Sequence, residues 1–426
     1  MPTHRIHLAV GLLAALALLA PPRPAAAQQT FVSGSDGSDG ALSLTTPGTV
    51  LFDPTTFSPP LDVDGDGVYH FTTIEVGPGV TVRLSAATLG TRPVIWLAQG
   101  AVIISGTLDL DGEAGHPSGS PSAAIAGAGG FFGGYGSTAT TVATPGQGPG
   151  GGNPSPTGQG LAAGAGAGHS GQGGQGSNGA LGGTVYGNAF LQPLVGGSGG
   201  AGGGPGNAPS AGGAGGGAGG GALLIASSTE LTLAGSIQAR GGNGTQGQVG
   251  FKSGGGGSGG AVRLVATTVQ GNGSITVARG AAGSGGTEAG PGAEGRVRIE
   301  AINQLFSGVS DPSTFFSAPG PIFPPTGAPE VRIVAIDGVS VPVSPTGTFP
   351  PADVTLNDSG PVTFSIEASH IPLGTVVRIV MFSEARATLV VDSTPLTGTL
   401  EASTATATAT VPSGYSRFTV EANWTP

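Results

Sequence analysis

Glycine dominates the middle of this chain. The tract runs from Gly112 to Gly260, and its densest stretch, Gly196 to Gly221, holds 16 glycines in 26 residues. Glycine buries no side chain, and ordering it costs about 1 kcal/mol per residue more than ordering alanine. Such a tract has three states open to it. It can be a flexible linker, long loops laid over a neighbouring domain, or extended threefold helices hydrogen-bonded to one another, the glycine counterpart of polyproline II. The tract also carries Phe131, Phe132, Tyr135, Leu181, Val185, Tyr186, Phe190, Leu191, Leu194 and Val195. Flexible linkers rarely carry such anchors, so order in whole or part is expected. A strict Gly-X-Y period is missing, which excludes collagen.

On both sides of the densest glycine one short pattern recurs. Val94–Leu97 and Val102–Gly112 precede it; Leu223–Ile225 and Leu231–Gly241 follow; Ala261–Leu264 and Gly273–Gly280 are a third copy. Gly235 to Gly273 is 38 residues and Ala222 to Ala261 is 39. Two short apolar strands per copy, with turns between, at that period predict stacked coils. Leu108 and Leu110 alternate with Asp109 and Asp111, and Ile237 and Ala239 with Gln238 and Arg240. If coils 94–112 and 223–241 are neighbours, Asp111 lies beside Arg240, and residues 113–221 become a large insertion between consecutive coils. Phe71–Val76 and Val80–Leu84 read as an earlier, irregular rung, and Arg296–Glu300 as the last.

The ends and composition narrow the setting. Arg5, the apolar run Leu8–Ala20 and Ala25-Ala26-Ala27 read as a secretion signal removed before Gln28. The run is too short to span a bilayer, and no second run of spanning length is expected. There are no cysteines, so stability must come from burial and backbone pairing. The net charge is −10; removing Arg5 and Arg23 with the leader leaves 24 acids against 12 basic groups, of which Lys252 is the sole lysine. An acidic, lysine-poor surface argues against nucleic acid and anionic membranes as partners and suits neutral glycans or cations.

Residues 307–330 read as a proline-rich linker. After it glycine thins, and short strands at 331–336, 362–367, 375–382, 387–391 and 417–422, without helix signals, suggest an immunoglobulin-like β-sandwich over 331–426. Thr404, Thr406, Thr408 and Thr410 alternate with alanine, placing four hydroxyls on one face of a strand.

Three motifs invite chemistry. Asp62, Asp64 and Asp66, followed by Gly67, match the first half of a calcium loop, because alternate carboxylates converge on a hard cation where glycine allows a sharp turn. Thr73 stands where an EF-hand needs glutamate, and no helices flank the loop, so a looser calcium site is the expectation. Asp109, Asp111, Glu113 and His116 gather acids and an imidazole at the mouth of the tract and are the catalytic candidates, against the bland reading of solvated outward side chains with Arg240 as partner. Gly168-His169-Ser170-Gly171 and the Gly-x-Ser-x-Gly matches at 196–200 and 256–260 lack the strand-to-helix setting of a nucleophile elbow and are expected by chance in so glycine-rich a chain.

The opening Ser33-Gly34-Ser35-Asp36-Gly37-Ser38-Asp39-Gly40 resembles the Gly/Asp/Ser openings that precede parallel β-helices in secreted bacterial proteins. Gly212–Gly221 resembles the glycine-rich regions of some receptor ectodomains and phage tail-tip adhesins. The resemblance is to secreted, glycine-rich, parallel β-helix surface proteins. It implies an all-β fold: a right-handed parallel β-helix over 28–306 carrying the glycine insertion, then the sandwich. The expected role is a secreted, non-catalytic surface or matrix protein that binds polysaccharide or cell-surface glycans as an adhesin. The alternatives are a polysaccharide hydrolase or lyase, since such enzymes keep their acid and base on the outer face of the helix, and an ice- or surface-binding structural protein.

Overall fold

The computed structural model describes residues 29–63, 65–138, 141–154, 162–205, 212–247, 252–284, 289–343, 345, 352–357, 360–383, 389–414 and 416–424. The expected leader at 1–27, Asp64, and the first two residues of the strand expected at 387–391 lie outside them.

Among the described residues regular structure is almost all β; the exceptions are the single turn α1 (Ala86–Leu89) and a 3-10 turn at Pro54–Thr56. Strands alternate between two walls. The first holds β1 (Gly40–Leu44), β3 (Val68–Val76), β5 (Val94–Ala98), β6 (Val102–Ile104), β8 (Ala222–Leu233), β10 (Ala261–Gly271), β12 (Arg296–Phe306) and β14 (Phe315–Ser317). The second holds β2 (Gly48–Leu51), β4 (Val80–Arg83), β7 (Thr107–Asp109), β9 (Ser236–Gln238), β11 (Ser274–Thr276) and β13 (Val309–Asp311). In space the first runs β1-β3-β5-β8-β10-β12-β14, with β6 pairing β3 and β8, and the second β13-β11-β9-β7-β4-β2. The pairings within both walls are parallel.

Alternation drives this arrangement. Trp96, Ile225, Leu264 and Ile299 from the first wall meet Val82, Leu108, Ile237 and Ile275 from the second in one core. Each such side chain contributes about 1.5–3 kcal/mol by leaving water. The corner between the walls is a column of glycines. A methyl on Gly235 would overlap the carbonyl of Gly106, one on Gly273 the carbonyl of Gly235, and one on Gly308 the carbonyl of Gly273. That contact explains why a glycine recurs at this place in every copy of the repeat.

The described residues of the glycine tract are ordered. The chain leaves the stack at the same corner three times: between β7 and β8, between β9 and β10, and between β11 and β12. The excursions pack into one lattice of extended segments. In the segment 213–221, Ala214, Gly217 and Gly220 donate to the carbonyls of Lys252, Gly255 and Ser258. Gly215, Ala218 and Gly221 donate to His116, Glu113 and Leu110, while Gly216 and Gly219 donate to Gly134 and Phe131. These bonds measure 2.8–3.0 Å. Successive residues turn to three different neighbours, which is the threefold period of a polyglycine helix rather than the twofold period of a strand. The described residues of 239–260 and 277–295 join the same lattice as the insertion expected at 113–221. Of the expected anchors, Leu191 is buried and Phe132 packs on an alanine cluster, whereas Leu181, Val185 and Phe190 are exposed.

The linker expected at 307–330 begins with two more strands, β13 and β14. Beyond it lie β15 (Glu330–Ile336), β16 (Val339–Ser340), β17 (Pro361–Ser369), β18 (Val376–Ser383), β19 (Leu389–Pro395), β20 (Thr397–Gly398), β21 (Ser403–Thr410) and β22 (Ser416–Ala422). They form two antiparallel sheets, β16-β15-β17-β21-β20 and β19-β18-β22. Val362, Phe364, Ile366, Val377, Ile379 and Ala407 build their shared core. Arg417 ties this unit to the lattice, its guanidinium donating to the carbonyls of Gly146 at 2.7 Å and Gly151 at 3.3 Å.

Candidate functional site

The two walls present different outer faces. The first is covered over much of its length by the chain itself. Phe31 N–H donates to the Thr267 hydroxyl, Ser33 N–H to the Ser228 hydroxyl, and the Ser35 hydroxyl to the Phe71 carbonyl. Phe31, Leu194 and Ile322 pack there over Val68, Leu97, Leu224, Ala226 and Val265. A buried ion cluster holds the linker in place. Arg263 grips Glu300 with two hydrogen bonds of 2.9 and 3.1 Å, Arg298 adds a third at 2.6 Å, and Arg263 also donates to the carbonyls of Pro321 and Ile322. Burial pushes the Glu300 carboxyl up, but the bonds from Arg263, the Gly320 N–H and Arg298 outweigh it and hold it below the usual carboxylate range.

The outward residues of the second wall are mostly half-buried and fall in columns set by strand register. One column is Thr49, Thr81, Thr107, Ser236 and Ser274. These five hydroxyl residues follow one another at about 4.8 Å, the spacing of paired strands. The Thr107 and Ser236 hydroxyls are 3.0 Å apart. The next column is Arg83, Asp109, Gln238, Thr276 and Asp311. Beyond it stand Asp111 and Arg240.

Two acids of this face, Asp109 and Asp111, are paired with bases. Arg83 Nη1 lies 2.8 Å from Asp109 Oδ1, and Arg240 Nη2 lies 2.6 Å from Asp111 Oδ2. The expected neighbourhood of Asp111 and Arg240 is thus present, and the hydrogen bond from Arg240 to Asp111 raises the guanidinium pKa further. Glu113 Oε2 accepts the Ile125 N–H at 3.0 Å, and the backbone carbonyl of His116 accepts the Gly215 N–H. The chain from Leu110 to His116 is extended, its Leu110, Glu113 and His116 carbonyls bonding Gly221, Ala218 and Gly215 in turn, so the four catalytic candidates are strung out along it, and each carboxylate is turned to its own donor.

In the calcium loop, the Asp62 carboxylate accepts the Gly67 N–H at 3.2 Å and Asp66 accepts the Val68 N–H at 2.7 Å, closing the turn. Asp64 is not among the described residues. Among those that are, no three acidic or histidine side chains converge to hold a metal ion.

The buried polar cluster within the lattice escaped sequence reading. His169 stacks on Tyr186 at 4.7 Å, and its Nδ1 lies 2.7 Å from the Gly259 carbonyl. The Ser198 hydroxyl donates to the Tyr186 hydroxyl at 3.0 Å, and the Ser258 hydroxyl accepts the Ser198 N–H at 2.8 Å. Burial drives the imidazole down to about 4, opposed by the Gly259 carbonyl and aided by Arg296. Burial likewise raises the Tyr186 hydroxyl. Ser198 and Ser258 are the central residues of two Gly-x-Ser-x-Gly matches, and both serve as lattice crosslinks. A cleft of about 650 Å³ lies where the C-terminal unit meets the lattice, lined by Phe131, Pro149, Val331, Ile333, Val341 and Phe418.

No helix among the described residues is long and apolar enough to cross a membrane. Compared with known proteins, the chain matches no family, no curated protein and no solved structure.

Proposed function

We propose that this chain is a secreted, non-catalytic surface or matrix protein that binds neutral glycans through the outer face of its second wall. In this reading the walls are the coils of a right-handed parallel β-helix, and the C-terminal unit is an immunoglobulin-like sandwich. The observation that carries it is the column Thr49, Thr81, Thr107, Ser236 and Ser274, beside acids already neutralised by Arg83 and Arg240. Such a face offers regularly spaced hydroxyls and little unpaired charge, which suits a neutral hydroxylated polymer. Calcium belongs to the proposal as a ligand of the loop containing Asp62, Asp64 and Asp66.

The test is incubation with a panel of soluble and insoluble polysaccharides, scoring both retention and newly released sugar ends. Retention without cleavage, lost in Thr81→Val/Thr107→Val/Ser236→Ala, is the expected result. Cleavage, or retention indifferent to these substitutions, sinks the reading. For calcium, a rise in Tm on adding the ion, abolished in Asp62→Asn/Asp66→Asn, is expected; no rise removes calcium from the proposal.

A second reading, an ice- or surface-binding protein, is favoured by the exposed row Thr404, Thr406, Thr408 and Thr410, with Thr363 and Ser365 opposite Thr408 and Thr406 on β17. Thermal hysteresis lost in Thr406→Val/Thr408→Val would support it over glycan binding.

A further inference from the structure

The two ends of the parallel-strand stack are finished differently. At the end near β1 and β2, the segment 52–61 folds across the core. Phe52 is fully buried, its ring 5.3 Å from those of Tyr69 and Trp96 and 5.6 Å from that of Phe57, and Leu61 is buried beside it. At the other end Phe316 pairs with Ile299, an inward position, yet is 55 % exposed. Phe315 on β14, Leu305 on β12 and Val309 on β13 are 54, 62 and 69 % exposed, but their register with Arg298, Gln270 and Ser274 turns them to the outer faces of the walls. β13 and β14 are terminal members of their sheets, as β1 and β2 are at the other end. An exposed aromatic side chain at the core end, between two terminal strand edges, is a site of association.

We propose that this end joins the same end of a second copy of the chain. The twofold axis stands normal to the walls, and β14 and β13 each run antiparallel to their counterparts. The geometry selects that partner. An occupant must present two strand edges, one on each wall, separated by the core width of about 10 Å, and cover the aromatic residue between them. A second copy of this end does so by symmetry. Because the pairing is isologous, it uses this end of both copies, closes at two and does not propagate into a fibre.

The size of the joint sets its strength. The footprint of the last coil, eleven residues of β12 long by one core width, is roughly 350 Å² per copy at about 3.3 Å per residue. Roughly 700 Å² for the pair lies under the roughly 1,000 Å² of a stable interface, so edge hydrogen bonds must supplement it and the dimer is concentration-dependent. A dimer of this symmetry keeps both second walls on one side. If the glycan reading above holds, it doubles the length of the hydroxyl face and raises retention by avidity; the pairing itself does not depend on that reading.

Sedimentation velocity on the full chain, from micromolar to the highest soluble concentration, tests the proposal without any ligand. A monomer–dimer equilibrium is expected. Phe315→Ser/Phe316→Ser should raise its Kd at least about tenfold, as loss of central aromatic anchors does, with circular dichroism and Tm preserved. Val309→Lys, which leaves the core untouched, should weaken the dimer in the same sense. Val142→Ser, at an exposed site on the lattice, should leave it intact. A chain that stays monomeric throughout, or a dimer with unchanged Kd in both end variants, overturns the proposal.

Discussion

Leu108 and Gly219 stand for two ways of fixing a backbone. Leu108 sits in a strand of three residues and is held by its side chain, which fills the core between the walls. Gly219 has no side chain, and it is held by its peptide group, which donates to Phe131 and accepts from Gly127. The walls spend few hydrogen-bond directions and much apolar area; the lattice does the reverse. Each lattice hydrogen bond contributes only about 0.5–1.5 kcal/mol net, against roughly 1 kcal/mol of extra ordering entropy per glycine. The lattice is therefore stable only where nearly every peptide group is paired and the segments approach to backbone contact. That approach is what glycine permits. A core position tolerates a smaller residue at a graded cost, whereas a lattice glycine packed against backbone, as Gly219 is, tolerates no larger one.

Substitution should expose this difference directly. Gly219→Ala places a methyl against the carbonyl of Gly197, and the surrounding atoms are backbone that cannot rotate away. A loss of more than about 4 kcal/mol in a urea titration is expected, at the extreme of single substitutions. Gly171→Ala, where a methyl would meet nothing within 4 Å, should change stability by less than about 0.5 kcal/mol. Equal losses at the two positions would break the lattice account.

Leu108→Ala in the wall should cost about 3 kcal/mol, leaving a cavity that neighbours partly close. If it costs more than Gly219→Ala, side-chain packing rather than backbone contact is the stricter constraint here.

His169 offers a pH test confined to the lattice. Its folded pKa, about 4, lies below its unfolded value of 6.5. The neutral imidazole therefore contributes fully above pH 6.5, and stability falls as the pH drops from there toward 4. The loss is up to roughly 3 kcal/mol across that window. His169→Gln should flatten the pH dependence of Tm over this range. An unaltered slope would show that the imidazole is not the titrating group.

The smallest loss among the disrupting substitutions is expected at the joint between lattice and C-terminal unit. Arg417→Ala removes the guanidinium bonds to Gly146 and Gly151 and should cost about 2 kcal/mol. Calorimetry should then resolve separate transitions for the C-terminal unit and the rest. A single unchanged transition would mean that Arg417 does not couple them.

The strands of the two walls were legible because apolar alternation at Leu108–Leu110 and Ile237–Ala239, with glycines at 106, 235 and 273, recurs along the chain. The register of Asp111 with Arg240 followed from that repeat alone. The lattice was legible only as a composition. The catalytic candidates were legible as a cluster of letters, but whether Asp109 faces an acid or Arg83 depends on pairing between β4 and β7. The column from Thr49 to Ser274 was missed because its members sit in strands of three or four residues, too short for periodicity to separate from turns. The strands at 309–317 were hidden by the prolines and serines around them.

By itself, then, the sequence determined that this protein is nearly all β and that short apolar strands alternate with glycine turns before the composition changes near residue 330. Those properties are written in side chains, whose burial is a local pattern. Only the tertiary structure decided which glycine pairs with which, that three excursions share one lattice, which wall the chain covers, and which end of the stack is sealed. A peptide group looks the same at every glycine, so partners distant in sequence are chosen by where the folded coils bring the segments together.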